Sequence, residues 1–274
     1  MSAPERFLKS GHPMVIKPGE DCLRKEGGRW TIFGEDIQSY LNDFARVDED
    51  DILPGFMDDL ATKETPVIID LLAPTDTLVS FSKRFRAGKR IKALAVGYED
   101  VRGKLTTVID NARGIQFLSS DISDFRNFHK ISDWLGSDKA DLVLERGYGG
   151  LSHLPTNIRY QYRAIQNIWN MLNSTGGIAL LQLPPIGDLR FHDIPMEKWI
   201  DELNERGIYC KYLPSYASKD AGHEYGLLML QRNSEAEQIP QFRNAKAIDP
   251  THQARRSFLH FLDFPELSNL GIAE

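Results

Sequence analysis

From Pro66 onward, short apolar runs alternate with segments of helical spacing, and this alternation limits the possible folds more than any other feature of the chain. Val67 to Leu72 is an apolar run that ends in turn residues, which is typical of a strand buried on both faces of a parallel sheet. Four more runs follow it: Ile91 to Gly97, Ile115 to Leu118, Leu142 to Leu144 and Ile178 to Leu183. Helices are predicted at Thr77 to Phe85, about Thr156 to Leu172, and Met196 to Arg206. The alternation predicts a doubly wound α/β sheet with its ligand site at the carboxyl ends of the strands.

The last two apolar runs have a different connection. Ile208 to Leu213 and Tyr225 to Gln231 are joined by a polar loop that is too short for a helix. Parallel neighbours need a crossover, so a connection without one predicts an antiparallel pair. The expected fold is therefore a mostly parallel seven-stranded sheet that ends in an antiparallel hairpin.

The chain is divided into three parts by composition and pattern. Residues 1–62 form an N-terminal extension, in which Asp36 to Phe44 has the apolar spacing of an amphipathic helix. This helix either closes over a ligand as a lid or simply packs on the domain. Residues 63–233 form the α/β domain. Residues 234–274 are a mostly polar tail with a short amphipathic helix near Arg255 to Leu262.

Charge and cysteine content narrow the classes of function. The chain of 274 residues has 33 Lys and Arg against 39 Asp and Glu, a formal net charge of −6, which disfavours a nucleic-acid substrate. Two cysteines, Cys22 and Cys210, are too few for a disulfide framework or a structural zinc site, and no metal-binding motif occurs. No apolar run is long enough to span a bilayer. A cytoplasmic protein with no membrane association is expected, and the oligomeric state is left open.

Several segments, taken in order, resemble those of the class I S-adenosylmethionine-dependent methyltransferases. They are Val67 to Asp70, Ala95 to Glu99, Phe117 to Ile122, Ala140 to Leu144 with Leu151 to Leu154, and Met171 to Ile178. The resemblance extends over roughly Pro66 to Arg232. It implies the class I methyltransferase-like fold, S-adenosylmethionine as the cofactor, and methyl transfer to a small molecule or a protein side chain.

The resemblance also assigns cofactor contacts to individual positions. Glu99 matches the carboxylate that binds the ribose hydroxyls, and one carboxylate can accept both hydroxyl hydrogens; the alternative is an exposed turn. Asp121 and Ile122 match the end of the third strand, where the family contacts adenine. For Asp121 the alternative is a helix cap. Asp70 matches the acid that ends the first strand, and it either supports the following loop or contributes to binding.

The loop after Asp70 departs from the family pattern. The positions of the family's glycines are occupied by Leu72, Pro74 and Asp76. Glycine permits unusual backbone angles and close approach of a ligand, whereas proline fixes φ and lacks an N–H. Leu72 and Ala73 are still assigned to the cofactor site by position. Two hypotheses follow: a methyltransferase with a rebuilt loop, or a catalytically inactive methyltransferase-like protein that serves as a binding or assembly module.

Candidate catalytic residues lie after the fourth strand, where the family has its substrate-facing side chains. Glu145 and Tyr148 are candidates for orienting a substrate, and Glu145 is also assigned to the cofactor site. His153 is a candidate for accepting a proton near neutral pH, with a surface or helix-cap histidine as the alternative. Methyl transfer requires mainly alignment of the acceptor with the methyl group, so a general base is optional.

Overall fold

The computed structural model describes residues 37–45, 48, 50–71, 73, 75–85, 89–97, 100, 102–120, 127–145, 158–183, 196–217, 224–233 and 238–241. Its strands are β1 (Val67–Leu71), β2 (Lys92–Gly97), β3 (Ile115–Ser119), β4 (Leu142–Glu145), β5 (Gly177–Leu183), β6 (Tyr209–Ala217) and β7 (Glu224–Arg232). The helices in these ranges are α1 (Ile37–Phe44), α2 (Ile52–Thr62), α3 (Thr75–Ser82), α4 (Lys104–Ala112), α5 (Phe128–Leu135), α6 (Ile158–Met171) and α7 (Met196–Glu205). None of these described helices combines the length and apolar character needed to cross a bilayer.

All seven strands form one sheet in the order β3-β2-β1-β4-β5-β7-β6. The pairs among β1 to β5 are parallel, whereas β7 lies between β5 and β6 and is antiparallel to both. Helices connect the parallel strands, and no helix is needed between β6 and β7. This arrangement confirms the predicted class I methyltransferase-like fold, including its antiparallel pair.

The two faces of the sheet have separate apolar cores because successive side chains of a strand point to opposite sides. In β1, Ile69 belongs to the core that packs beneath α5, α6 and α7, whereas Ile68 belongs to the core beneath α1, α2 and α3. Both side chains are fully buried. The central strands β1, β4 and β5 are therefore mostly apolar on both faces, and each of them contains a nearly continuous apolar run in the sequence.

Helix α1 packs on the second of these faces. Ile37, Tyr40, Leu41 and Phe44 are buried, as the helical spacing predicts. The hydroxyl of Tyr40 donates a hydrogen bond to the carbonyl oxygen of Glu145 at 2.8 Å and approaches that of Leu180 at 3.4 Å. Helix α1 is thus attached to the carboxyl end of β4; closure over a ligand stays a prediction.

Candidate functional site

The carboxyl ends of four neighbouring strands meet at one edge of the sheet. Leu71 of β1 is paired with Val96 of β2 on one side and with Glu145 of β4 on the other. Gly97 of β2 is paired with Ser119, the last residue of β3. In the sequence, Glu99 and Asp121 each follow one of these strand ends by two residues.

Asp70 connects β1 to the following helix. Its side chain is fully buried, and its Oδ2 accepts a hydrogen bond from the Thr77 hydroxyl at 3.1 Å. Thr77 lies in the first turn of α3 and is itself buried. The contact supports the interpretation of Asp70 as the residue that holds this corner, and a direct contact with cofactor stays a prediction.

The altered loop is shorter than the sequence suggests, because α3 begins at Thr75 rather than at Thr77. Asp76, which stands at the position of the family's third glycine, is an exposed residue of the first helical turn, where a negative charge is favourable. Ala73 is buried, and its N–H donates to the carbonyl of Val96 at 3.3 Å. Between β1 and α3 the described backbone is therefore bonded to β2.

Glu145 ends β4 in the middle of the sheet. Its side chain is fully buried although it is a carboxylate, and its carbonyl oxygen receives the hydrogen bond from Tyr40. Carboxylates are rarely buried completely unless they have a specific role in structure or binding. Its role at the substrate side of the site stays a prediction.

Six of the sequence-assigned site residues lie outside the described residues. They are Leu72, Glu99, Asp121, Ile122, Tyr148 and His153. Their assignments therefore stay predictions, supported only by the positions of the strand ends that precede them. Asp70, Ala73 and Glu145 are the assigned residues that the structure describes.

Ser120 is a candidate site residue that the sequence did not single out. It follows β3 directly, its N–H donates to the carbonyl of Gly97 at 2.6 Å, and its side chain is 4% exposed. The Ser120 hydroxyl has no hydrogen-bond partner among the described residues. Most buried polar groups are hydrogen-bonded, so an unpaired hydroxyl at a strand end is a candidate ligand contact. The sequence signal is the serine directly before Asp121, within the segment Phe117 to Ile122 that carries the resemblance.

A second missed feature is a polar cluster beside the end of β2, which we call the Arg102 cluster: Thr75, Asp100, Arg102, Asp110 and Phe117. The Arg102 Nε and Nη2 donate to the two carboxylate oxygens of Asp100, each at 2.8 Å. Its Nη1 donates to Asp110 Oδ2 at 3.0 Å. The hydrogen bonds from Arg102 hold the pKa of Asp100 below its usual value, against the opposing effect of partial burial.

Replacing Asp100 by asparagine is expected to make the free energy of unfolding less dependent on pH under acidic conditions. Because the pKa of Asp100 is lowered in the folded protein, its ion pair contributes fully above the unfolded-state pKa of about 4. That contribution is lost as the pH falls through the folded-state pKa. Urea denaturation between pH 6 and pH 3 should therefore show a smaller loss of unfolding free energy for Asp100→Asn than for the wild type. Parallel profiles for the two proteins would contradict this assignment.

Three solved structures that are similar to this chain are named as methyltransferases or members of a methyltransferase family. An O-methyltransferase family protein from Burkholderia thailandensis is 16% identical, with a TM-score of 0.37; the match covers 73% of this chain and 60% of that one. A 1,6-didemethyltoxoflavin-N1-methyltransferase from the same organism, solved with S-adenosylhomocysteine, is 14% identical with a TM-score of 0.39 and coverage of 72% and 85%. A ribosomal RNA methyltransferase from Plasmodium falciparum is 11% identical with a TM-score of 0.40 and coverage of 71% and 97%.

These similarities are too distant to assign an activity to this chain. No protein-family model matches the sequence, and no curated protein matches it significantly. The fold follows instead from the strand order and from the antiparallel position of β7.

Proposed function

We propose that this chain binds S-adenosylmethionine and transfers its methyl group to a small molecule or a protein side chain. The observation that carries the proposal is the shared edge formed by the ends of β1, β2, β3 and β4, with the acidic residues Asp70 and Glu145 at it. In doubly wound sheets, ligands bind in the crevice outside the carboxyl ends of the strands. The choice of S-adenosylmethionine as the ligand rests on the resemblance of the sequence to class I methyltransferases.

The residues at this edge fit the chemistry of an adenosine-containing ligand. Glu99, two residues beyond β2, would bind the ribose hydroxyls through its carboxylate, and Asp121, two residues beyond β3, would accept from the adenine amino group. The Ser120 hydroxyl, which follows β3 directly and has no partner among the described residues, would supply a further polar contact. When bound, the cofactor supplies an activated methyl group on its sulfonium.

The chain's own contribution to the reaction is alignment and exclusion of water. Glu145 and Tyr148, at and after the end of β4, would orient the acceptor, since the methyl-proximal part of the site follows this strand by resemblance. The hydrogen bond from Tyr40 of α1 to the Glu145 carbonyl holds this end of β4 in place. Positioning of this kind is the main requirement of methyl transfer.

The alternative function is that of an inactive methyltransferase-like binding or assembly module. The observation that favours it is the bonded backbone after β1, where the Ala73 N–H is donated to Val96 and is therefore not directed to a ligand. Proline at position 74 also lacks the N–H that glycine would provide. The two functions differ in whether the chain binds the cofactor.

Calorimetric titration of the purified chain with S-adenosylmethionine and S-adenosylhomocysteine tests the proposal. We expect micromolar binding of both ligands, and we expect Glu99→Ala to weaken it by about 10- to 100-fold, the effect of losing charge-assisted hydrogen bonds. Absence of binding to the folded wild-type protein would exclude the methyltransferase and favour the inactive module.

Ser120→Ala tests the ligand contact that we propose at the end of the neighbouring strand, β3. Removal of a buried hydroxyl without a partner among the described residues should leave the free energy of unfolding unchanged or slightly higher. If the hydroxyl contacts the ligand, affinity should fall while stability does not. A parallel loss of both would mean that Ser120 acts on the structure alone.

A further inference from the structure

Residues 238–241, which we call the strap, follow β7 and lie against α6 and α7. They belong to neither a helix nor a strand. Ile239 and Pro240 are buried, and Ile239 is part of the apolar core that α5, α6 and α7 form over the sheet. Gln238 and Gln241, on either side of this pair, are exposed. The strap therefore inserts two adjacent side chains between the helices and leaves its flanks in solvent.

Side chains of the two helices bind the backbone of the strap. The Ile239 N–H donates to Gln166 Oε1 of α6 at 3.0 Å, and the Tyr162 hydroxyl, one turn earlier, donates to the Ile239 carbonyl at 2.8 Å. Trp199 Nε1 of α7 donates to the Pro240 carbonyl at 2.8 Å. Proline has no N–H, so all backbone polar groups of this buried pair are satisfied by side chains of α6 and α7. The strap is thus bound as an extended peptide ligand is bound, through its main chain.

The groove between α6 and α7 has the chemistry of a site for a proline-containing segment. Tyr162 and Trp199 each combine an apolar ring with a hydrogen-bond donor. Trp199 is 2% exposed, and Tyr162 packs against the same core. Burial raises the pKa of Tyr162, so its hydroxyl stays a donor at neutral pH. Aromatic-lined grooves are used to bind proline-rich peptides, because proline presets an extended backbone and little entropy is lost on binding.

The strap is held less firmly than the sheet beside it. Among the described residues, it is held by the burial of Ile239 and Pro240 and by the three hydrogen bonds given above. Strand β7, by contrast, is paired with β5 on one side and with β6 on the other. Ordering of the strap residues opposes their few contacts, and such segments open at a lower free energy than the core of a sheet. The groove can therefore be vacated while the sheet stays folded.

We propose that the groove between α6 and α7 is a docking site for an extended protein segment that carries a branched aliphatic residue followed by proline, and that the strap is its tethered ligand. The partner is a protein that presents such a segment and displaces the strap. The seating of Ile239 and Pro240 carries the proposal, since the bonds are made to backbone groups that any segment of this shape has. Residues 234–237 tether the strap to the end of β7, so it fills the groove until a partner competes. The proposal does not depend on cofactor binding.

Fluorescence anisotropy with a labelled peptide that has the sequence of residues 236–243 tests the proposal. The proteins are the full chain and full-chain Ile239→Asp, in which a charge at the apolar position releases the strap. We expect Ile239→Asp to bind the peptide about 10- to 100-fold more tightly than the wild type, because the wild-type groove is occupied by a ligand at millimolar effective concentration. The same peptide carrying Ile239→Ser and Pro240→Ala should bind neither protein.

Tyr162→Phe, made in the Ile239→Asp background, is the matched variant on the groove side. It keeps the aromatic ring and removes the hydroxyl that donates to the backbone at position 239. We expect the affinity for the peptide to fall about 3- to 10-fold, the effect of one lost hydrogen bond. Unchanged affinity would mean that the peptide binds outside the groove, and this would overturn the proposal.

Hydrogen exchange of the wild-type chain covers the case in which Ile239→Asp does not fold. With isotopically labelled chain and unlabelled peptide at millimolar concentration, exchange of the Ile239 N–H should accelerate, because the peptide displaces the strap and breaks its bond to Gln166. The amides of β7 should exchange as before. An Ile239 N–H whose exchange the peptide does not alter overturns the proposal.

Two further results would also overturn it. One is the absence of peptide binding to folded Ile239→Asp, or equal binding to this variant and to the wild type. The other is a concentration-dependent dimer of the wild type that the peptide dissociates, since the strap of one copy would then occupy the groove of another and would not be a ligand tethered within its own chain.

Discussion

Replacing Trp169 by alanine is expected to lower the free energy of unfolding by about 3–5 kcal/mol. Trp169 lies in α6, is fully buried, and belongs to the apolar core that α5, α6 and α7 form over the sheet. Truncation would remove one of the largest buried side chains of the described residues and leave a cavity that the rigid sheet below cannot fill.

A second contribution comes from Arg232 of β7. Its guanidinium carbon lies 5.3 Å from the centroid of the Trp169 ring, and its Nη1 donates to the carbonyls of Trp169 and Leu172 at 2.9 and 3.2 Å. Arg232 is only 8% exposed, so loss of the ring removes a favourable contact from a desolvated cation. Trp169 thus also connects α6 to the antiparallel end of the sheet.

Trp169→Phe is the control for this prediction. It keeps an aromatic face for Arg232 and most of the apolar volume, so we expect a smaller loss of about 1–2 kcal/mol. Urea denaturation of the three proteins gives the comparison. A cost of less than 2 kcal/mol for Trp169→Ala, or equal costs for the two variants, would show that α6 is not anchored through this side chain.

The strands could be predicted from the sequence because they are buried on both faces. All residues of Val67–Leu71 and Leu142–Glu145 are buried, and burial on both faces favours an apolar run, from which only Asp70 and Glu145 depart in these strands. The antiparallel end was predictable from the short connection alone. The position of β7 between β5 and β6 was not contained in that reasoning; it is seen only in the strand order of the structure.

Helix α2 illustrates what the sequence did not reveal. Pro54 and Gly55 stand three and four residues into Ile52–Thr62, where they look like a turn. Proline is tolerated in a first helical turn because its missing N–H would have had no partner there. The start of the helix is instead stabilised by Asp48, whose two carboxylate oxygens accept from the N–H groups of Ile52 and Leu53 at 3.0 and 2.5 Å.

Within the candidate site, the sequence could predict only residues whose place is set by the end of a strand. Asp70 and Glu145 could be assigned to the edge because each belongs to a strand whose end the apolar pattern defines. The Arg102 cluster could not be predicted, because it depends on how α3 packs beside α4. Thr75 of α3 and Asp110 of α4 are bonded to each other although they are 35 residues apart in the sequence, and Arg102 binds the same carboxylate. Spacing in the sequence carries no signal for such a contact.

Gly114→Ala is expected to destabilise the chain by about 2–5 kcal/mol, by adding unfavourable backbone angles to a steric overlap. Gly114 has a φ of 82° and lies between α4 and β3. A Cβ at this position would approach the carbonyl oxygen of Ile91, just before β2, to 1.9 Å. The Gly114 carbonyl accepts from the Ala93 N–H at 2.9 Å, so the clash falls at the point where β2 and β3 begin to pair.

Gly207→Ala separates the two causes. Gly207 has a similar φ of 75°, but an added Cβ would meet no heavy atom within 4 Å among the described residues. It should therefore show the backbone cost alone, about 1–2 kcal/mol. The difference between the variants, measured by urea denaturation, gives the cost of separating β3 from β2. Equal costs would mean that the backbone yields easily at Ile91; a larger cost at Gly114 would mean that β2 and β3 are held rigidly together where their pairing begins.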